Sequence, residues 1–256
     1  MSPPRQPGAS RAVLLTRPAE DAAPLARRLE ALGHRALREP LLTIRYLDSA
    51  AVDLSGVQAL AFTSANGVRA LIRARADAPT AGLPVFAVGA ATAAAAREAG
   101  FASVTAGAGD VESLARVIVA QALTGAGAIL HIAGRERAGD LVAALQDAGF
   151  TARRLVLYGA EGVTALSDAT MAALRAGQID DVVIFSPRTA RQFVTLMTQA
   201  GLQGAGAGLR LVALSARVAA AAKGLDFAAV SVAARPDQDA LLDLFGAAAA
   251  SERQDR

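Results

Sequence analysis

Short apolar runs alternate with longer alanine-rich stretches along almost the whole chain, and this alternation limits the fold more than any other feature. Each run is followed by a stretch of helical character. The runs occupy residues 13–15, 59–62, 85–88, 129–132, 182–185 and 210–214. Continuous apolar strands separated by helices are typical of buried parallel sheets. The sequence therefore predicts an α/β protein in which parallel sheets are flanked by helices.

The two halves of the chain also resemble each other. Phe62-Thr63-Ser64 is similar to Ile184-Phe185-Ser186, and the stretch 110–114 is similar to 237–241. The matches occur in the same order in both halves, which indicates an ancient duplication. On this evidence alone we would divide the chain once, near Gly125. Two similar α/β domains would leave a cleft between them, which is a common place for a ligand.

Missing residue types exclude several kinds of chemistry. Cysteine is absent, and the only histidines are His34 and His131. Disulfides, thiolate nucleophiles and zinc-cysteine sites are therefore excluded, and little remains for a metal centre or a histidine-based triad. We expect a redox-neutral reaction that needs no metal.

The basic residues are strongly biased, since all but one of the 26 are arginine while the net charge is only +3. A GC-rich coding sequence explains this bias without any function. The functional interpretation is that guanidinium groups bind carboxylates or phosphates through paired hydrogen bonds, which suits an anionic ligand. Nucleic acid is a poorer candidate, because the arginines are scattered among acidic residues and aromatic residues are only 4% of the chain.

Targeting and nucleotide-binding signals are not found in the sequence. The longest apolar stretch, residues 211–222, is interrupted by Arg217 and is too short to cross a bilayer. The apolar run at 12–15 is too short for a signal peptide. There is no G-x-G-x-x-G, no P-loop around Lys223 and no G-x-S-x-G. We expect a soluble, cytoplasmic protein without a membrane partner.

Small polar turns follow six of the predicted strands. Ser and Asn in such turns are ordinary helix N-caps, and capping alone explains many of them. The carboxyl ends of parallel strands meet at one sheet edge, however, where backbone N–H groups receive anions. A set of such turns is therefore also a candidate site for several carboxylates. The turns are Thr16-Arg17, Thr63-Ser64, Gly89 to Thr92, Gly134-Arg135, Ser186-Pro187-Arg188 and Ser215-Ala216-Arg217.

Tyr158 lies in Arg154-Leu155-Val156-Leu157-Tyr158-Gly159, at the end of a predicted apolar strand. A tyrosine in that position most often belongs to the core or to a sheet edge. A phenol is nevertheless one of the few neutral proton donors that this composition offers. The sequence leaves both interpretations open.

Several of these motifs together resemble the uroporphyrinogen-III synthase family. They are Val13-Leu14-Leu15-Thr16-Arg17-Pro18, Phe62-Thr63-Ser64, Ala87-Val88-Gly89-Ala90-Ala91-Thr92-Ala93 and Leu157-Tyr158. Each motif is short, but the ordered set extends from about Val13 to Phe245.

The resemblance implies two similar domains that are joined by a two-stranded linker, with a cleft between them. Residues 1–42 and 162–256 would form a discontinuous first domain, and residues 43–161 would form an inserted second one. The substrate would be hydroxymethylbilane, a linear tetrapyrrole with eight carboxylates. The enzyme would close it to uroporphyrinogen III, with inversion of the last pyrrole ring and loss of water. The substrate carries its own reactivity, so positioning should matter more than acid-base groups.

The resemblance also implies roles for individual residues. Tyr158 matches the family tyrosine proposed to assist departure of the hydroxyl group. Ser64, Thr92 and Ser186 match positions that hold the acetate and propionate groups. Members often read Gly-Pro-Thr-Thr-Ala where this chain has Ala213-Leu214-Ser215-Ala216-Arg217, so Ser215 keeps one hydroxyl and Ala216 loses the other. With the remaining strand-end turns, the candidate substrate-binding residues are Arg17, Ser64, Gly89, Thr92, Gly134, Arg135, Ser186 and Ser215.

We therefore predict a cofactor-independent cyclising lyase that works as a cytoplasmic monomer. The alternative from another class is a non-enzymatic two-domain protein that binds a small anion. A third possibility is a member of this fold that has lost its activity.

Overall fold

The fold was obtained as a computed structural model, which describes residues 9–47, 52–77, 82–136 and 139–246. The strands, labelled β1 to β11, are Ala12–Leu15, Arg35–Arg38, Leu42–Tyr46, Val57–Phe62, Val85–Ala87, Val104–Ala106, Ala128–Gly134, Ala152–Gly162, Asp181–Ile184, Arg210–Ala213 and Ala229–Val232. The helices, labelled α1 to α9, are Ala19–Ala31, Ala65–Ala74, Ala90–Glu98, Val111–Gln121, Leu141–Asp147, Asp168–Arg175, Pro187–Gln199, Ala216–Ala220 and Gln238–Leu242. None of these helices is long and apolar enough to cross a membrane.

The described residues divide into two compact units. The first unit is built from the N-terminal part of the chain up to Thr43 and from the part that begins at Gly162, and the second unit is Ile44–Glu161. The chain passes from the first unit to the second within β3 and returns within β8, and these two strands are neighbours in one sheet. The backbone of Leu47 donates to Leu157, and that of Val163 donates to Leu41, so these two strands run antiparallel.

The first unit contains a five-stranded sheet in the order β11-β10-β9-β1-β2, and all of its strand pairs are parallel. Leu14, Val182 and Leu211 project into one apolar layer, while Leu15 and Val183 project into the layer on the opposite face. Side chains alternate between the two faces of a strand, so a sheet covered by helices on both sides needs apolar residues at every position. This requirement explains why the central strands are continuous apolar runs.

The second unit contains the order β8-β7-β4-β5-β6, with β3 added beside β8. Apart from β3, this order corresponds strand for strand to the order of the first unit written in the opposite direction, β2-β1-β9-β10-β11. The two sequence halves are exchanged between the units, because each unit combines the β-α-β segment that opens one half with the later strands of the other half. The predicted α/β class with parallel sheets and flanking helices is confirmed. The expected single division near Gly125 is wrong, because Gly125 lies inside the second unit.

Two buried carboxylates of the first unit are held by ion pairs and hydrogen bonds. The Asp181 carboxylate is fully buried and receives the guanidinium groups of Arg11 and Arg210 at 2.5 and 2.7 Å. Buried Glu39 accepts hydrogen bonds from the backbone and hydroxyl of Ser167 and from the hydroxyl of Thr170, at 2.9, 2.5 and 2.6 Å. Glu39 thereby ties the segment after β2 to the start of α6.

Candidate functional site

Tyr158 lies within β8 of the second unit, and only 8% of the residue is exposed. The sequence suggested that Tyr158 ends its strand. In the structure the strand continues to Gly162, so that prediction is wrong. Its register partner on β7 is Gly134, and the Tyr158 carbonyl accepts from the backbone of Arg135 at 2.8 Å. The tyrosine is therefore held where β7 ends and its following turn begins.

The Tyr158 ring packs directly against Gly134. A Cβ atom on Gly134 would lie 2.9 Å from Cε2 of the ring and 3.3 Å from the hydroxyl oxygen. Contacts below 3 Å are not tolerated by carbon atoms, so any larger residue would displace the ring. Gly134, predicted as a substrate-binding residue, thus makes room for the ring of the predicted catalytic tyrosine.

A pocket of about 140 Å³ opens beside this ring, entirely within the second unit. Its walls come from the turn after β4, from β7 and β8, and from the starts of α4 and α5. Besides apolar groups, its lining residues with polar side chains are Thr63, Ser64, His131, Glu136, Asp140, Arg154 and Tyr158. The pocket therefore combines a phenol, two hydroxyls, an imidazole, two carboxylates and one guanidinium.

His131 is the most deeply buried titratable side chain of this pocket, with 7% of the residue exposed. Its Nε2 lies 3.1 Å from the Thr63 hydroxyl oxygen, and its Nδ1 has no hydrogen-bond partner among the described residues. Burial, helped by the positive charge of Arg154, lowers the pKa of His131 to about 4. The imidazole is consequently neutral at physiological pH.

Arg154, near the start of β8, binds the backbone at the end of β7. One of its terminal nitrogens donates to the carbonyl of Gly134 and, at 3.1 Å, to the carbonyl of Arg135. Arg135 itself is exposed, and its aliphatic stem lies over Gly159. Arg154 thus orders the backbone that carries Gly134 and Arg135.

The other candidates of the second unit lie at the starts of α2 and α3. The Ser64 hydroxyl accepts from the backbone of Asn66 at 3.2 Å and caps α2. Gly89 is at the N-cap position of α3 without a side-chain cap, and Thr92 is buried in the first turn of that helix. Of these three residues, Ser64 lines the pocket that contains Tyr158.

Three candidates belong to the first unit. Ser186 and Ser215 cap α7 and α8 through their hydroxyls, so capping explains both side chains. Arg17 stacks over the Phe185 ring at 4.4 Å and donates to Asp21 and Gln238. All three lie just after β9, β10 and β1, at the carboxyl edge of their own sheet.

Comparison with known proteins decides the family. A model of uroporphyrinogen-III synthase HemD matches residues 23–243 of this chain. The chain belongs to the uroporphyrinogen-III synthase family.

Solved structures of this family have the same fold. Uroporphyrinogen-III synthetase from Helicobacter pylori 26695 is 17% identical, with a TM-score of 0.61, and the match covers 91% of this chain and 97% of that one. A mutant synthase from the extremely thermophilic bacterium Thermus thermophilus is 19% identical, with a TM-score of 0.51, and the match covers 92% and 97%. Among curated proteins no match was found.

Membership in the uroporphyrinogen-III synthase family makes this protein a cofactor-independent cyclising lyase of porphyrin biosynthesis, and the non-enzymatic binding protein is not favoured. Within the synthase, sequence reasoning missed His131 and Arg154, and it quoted Thr63 only as part of a turn. The two histidines, His34 and His131, lie 97 positions apart in the sequence, so no motif marks His131 as a site residue. The only signal was a polar residue inside an otherwise apolar strand.

Proposed function

We propose that this chain converts hydroxymethylbilane to uroporphyrinogen III, with inversion of the last pyrrole ring and release of one water molecule. The observation that carries the proposal is the family match across most of the chain. The fold of each unit supports it, because strand-end turns of the expected kind follow β1, β4, β5, β7, β9 and β10.

We assign the proton donor to Tyr158. A phenol is a neutral proton donor and can donate to the departing hydroxyl. The carbon-oxygen bond then breaks with its electron pair on oxygen, water leaves, and a resonance-stabilised cation remains on the tetrapyrrole. Final ring closure releases a proton from a pyrrole carbon, which restores the phenol. Burial of Tyr158 beside a polar pocket supports this role.

We assign the carboxylates of the substrate to the strand-end turns. Ser64, Gly89, Thr92 and Arg135 would serve in the second unit, and Arg17, Ser186 and Ser215 would serve in the first. Backbone N–H groups and guanidinium groups both bind carboxylates well. Gly134 contributes by its lack of a side chain, which admits the Tyr158 ring. The cleft predicted between the two domains stays a prediction.

We further propose that the two units are the domains of the synthase and that it works as a cytoplasmic monomer, without nucleic acid or membrane partners. A substrate with eight carboxylates is freely soluble and needs no membrane.

The decisive experiment supplies hydroxymethylbilane to the purified protein and separates type I from type III product. Enzymatic turnover should yield the type III isomer, whereas the uncatalysed reaction closes the chain without inversion. Type I product alone would contradict the proposed function, and it would favour either a binding protein or a member of the fold without activity.

A further inference from the structure

His131 is a polar residue among apolar neighbours on β7. Leu130 and Ile132 pack into the apolar layer on one face of the sheet, and Ile129 packs into the layer on the other face. Because successive side chains of a strand alternate, His131 shares the face of Ile129. An imidazole therefore stands in a row of aliphatic residues.

The first unit provides an internal reference for this position. Ala61 of β4 and Val183 of β9 lie three residues before the N-caps Ser64 and Ser186. Across the sheet, Ala61 is the register partner of His131, and Val183 is the register partner of Leu15. The counterpart of His131 in the first unit is thus the fully buried Leu15.

Thr63 differs from its counterpart in the same way. It precedes Ser64, as Phe185 precedes Ser186. Leu15 and Phe185 pack in one apolar cluster of the first unit, whereas His131 and Thr63 form a hydrogen-bonded pair that lines the pocket of the second. In the first unit these two positions are filled by packed apolar side chains, whereas in the second unit they carry a polar pair beside a pocket.

Keeping a histidine in this position carries a cost. A buried polar atom without a partner destabilises the folded state, and an aliphatic residue would avoid the penalty. Nδ1 of His131 is such an atom among the described residues. A polar pair that is costly to folding and lines the pocket of Tyr158 points to a role in the reaction.

The unpartnered Nδ1 also indicates which way the hydrogen bond runs. If Thr63 donated to Nε2, the proton of the neutral imidazole would lie on Nδ1 as a buried donor without an acceptor. If Nε2–H donates to Thr63, only a lone pair at Nδ1 is left unpaired, which proteins tolerate more readily than an orphaned N–H group. The Thr63 O–H is then directed elsewhere.

The charges of the pocket restrict what this hydroxyl can meet. Asp140 and Glu136 line the pocket together with Arg154, so its carboxylates outnumber its guanidinium group and stabilise positive charge that develops there. They favour a neutral group that becomes a cation. The hydroxymethyl end of the substrate has this property, because its carbon becomes positive as the hydroxyl leaves.

We propose that His131 is a positioning residue whose Nε2–H donates to Thr63, so that the Thr63 O–H donates to the departing hydroxyl of the substrate. Tyr158 supplies the proton, and Thr63 stabilises the negative charge that develops on the same oxygen while the carbon-oxygen bond breaks. This inference rests on the proposed function and adds to it a second donor and the residue that orients that donor.

The kinetic test compares His131→Leu, which copies the first unit, with Thr63→Val, which removes only the hydroxyl. Each should lower kcat roughly 10- to 100-fold and leave KM within about twofold, because the lost hydrogen bond acts as the hydroxyl departs. The double variant should be no slower than the slower single one, since both remove the same donor. Thr63→Ser and His131→Gln should recover part of kcat.

A matched control separates this role from a structural one. Thr170→Val removes another buried hydroxyl that makes one short hydrogen bond, in the first unit. It should lower the melting temperature and leave kcat unchanged. If wild-type protein yields type III product while His131→Leu keeps its kcat, the inference fails and the proposed function stands. If wild-type protein yields no type III product, both fail.

Nitrogen NMR of the protein labelled in its histidine rings tests the hydrogen-bond direction without any turnover. At neutral pH the signal of His131 should be that of the neutral Nε2–H form, and Thr63→Val should shift its Nε2 resonance. A signal of the Nδ1–H form would overturn the proposed orientation.

Discussion

Gly134 and Tyr158 are register partners across β7 and β8, and their contact is so close that a methyl group on Gly134 would lie 2.9 Å from the tyrosine ring. The position of the phenol therefore depends on a residue that has no side chain. The backbone conformation does not require glycine at position 134, because the φ angle of Gly134 is not positive. The close approach of the ring accounts for glycine at this position.

Gly134→Ala should consequently impair catalysis more than folding. The added methyl must push the Tyr158 ring aside, and misplacing a catalytic group by about 1 Å can cost on the order of 100-fold in rate. We expect at least a tenfold lower kcat with a small change in melting temperature, measured on the same preparation. Gly204→Ala is the control, because a Cβ there meets nothing within 4 Å. Equal activity of the two variants would contradict the prediction.

Tyr158→Phe should lower the turnover of hydroxymethylbilane roughly 100-fold while unfolding changes little. The variant keeps the packing of the buried ring and removes the proton donor, and general acid catalysis typically contributes about 10²- to 10⁴-fold. Rates of type III formation and thermal unfolding are to be measured together. Near-normal synthase activity would remove Tyr158 from the mechanism.

His131 should make stability depend on pH. Its pKa is about 4 in the folded protein and near 6.5 in the unfolded chain, so below pH 6.5 the unfolded state takes up a proton that the folded state does not. Stability is therefore lost as the pH falls from 6.5 towards 4. Relative to His131→Leu, the wild-type protein should lose about 2 kcal/mol of unfolding free energy between pH 8 and pH 5.

Denaturant unfolding of both proteins at the two pH values measures this difference. Ile129→Val, on the same face of β7, serves as the control and should shift stability by the same amount at pH 8 and pH 5. Parallel pH profiles of wild type and His131→Leu would show that the imidazole titrates normally in the folded protein.

Glu39→Gln should destabilise the first unit. The buried carboxylate accepts three hydrogen bonds from Ser167 and Thr170, and hydrogen bonds to a charged group contribute about 1.5–3 kcal/mol each. The amide keeps the shape but places an NH₂ group against one or more of these donors. We expect a loss of about 2–4 kcal/mol in denaturant unfolding, and less than about 0.5 kcal/mol for exposed Glu98→Gln. Similar losses for the two variants would argue against a role for Glu39 in holding α6.

The local sequence pattern was enough to predict the α/β class, the six strands β1, β4, β5, β7, β9 and β10, and the helices that follow them. Buried parallel strands need apolar residues on both faces, and this requirement leaves a continuous apolar run that can be recognised locally. The edge strands β2, β6 and β11 were not identified in this way. They have three or four residues that are partly or largely exposed, so their pattern is weak.

The tertiary structure alone decided which strands pair and which polar groups meet. β1 lies beside β9, more than 160 residues further along the chain, and nothing in either strand specifies that partner. For the same reason His131 looked isolated in the sequence, although its ring contacts Thr63, 68 positions away. Periodicity reports which face of an element is buried, whereas a site depends on contacts between distant segments. Those contacts exist only after the sheet of the second unit has formed.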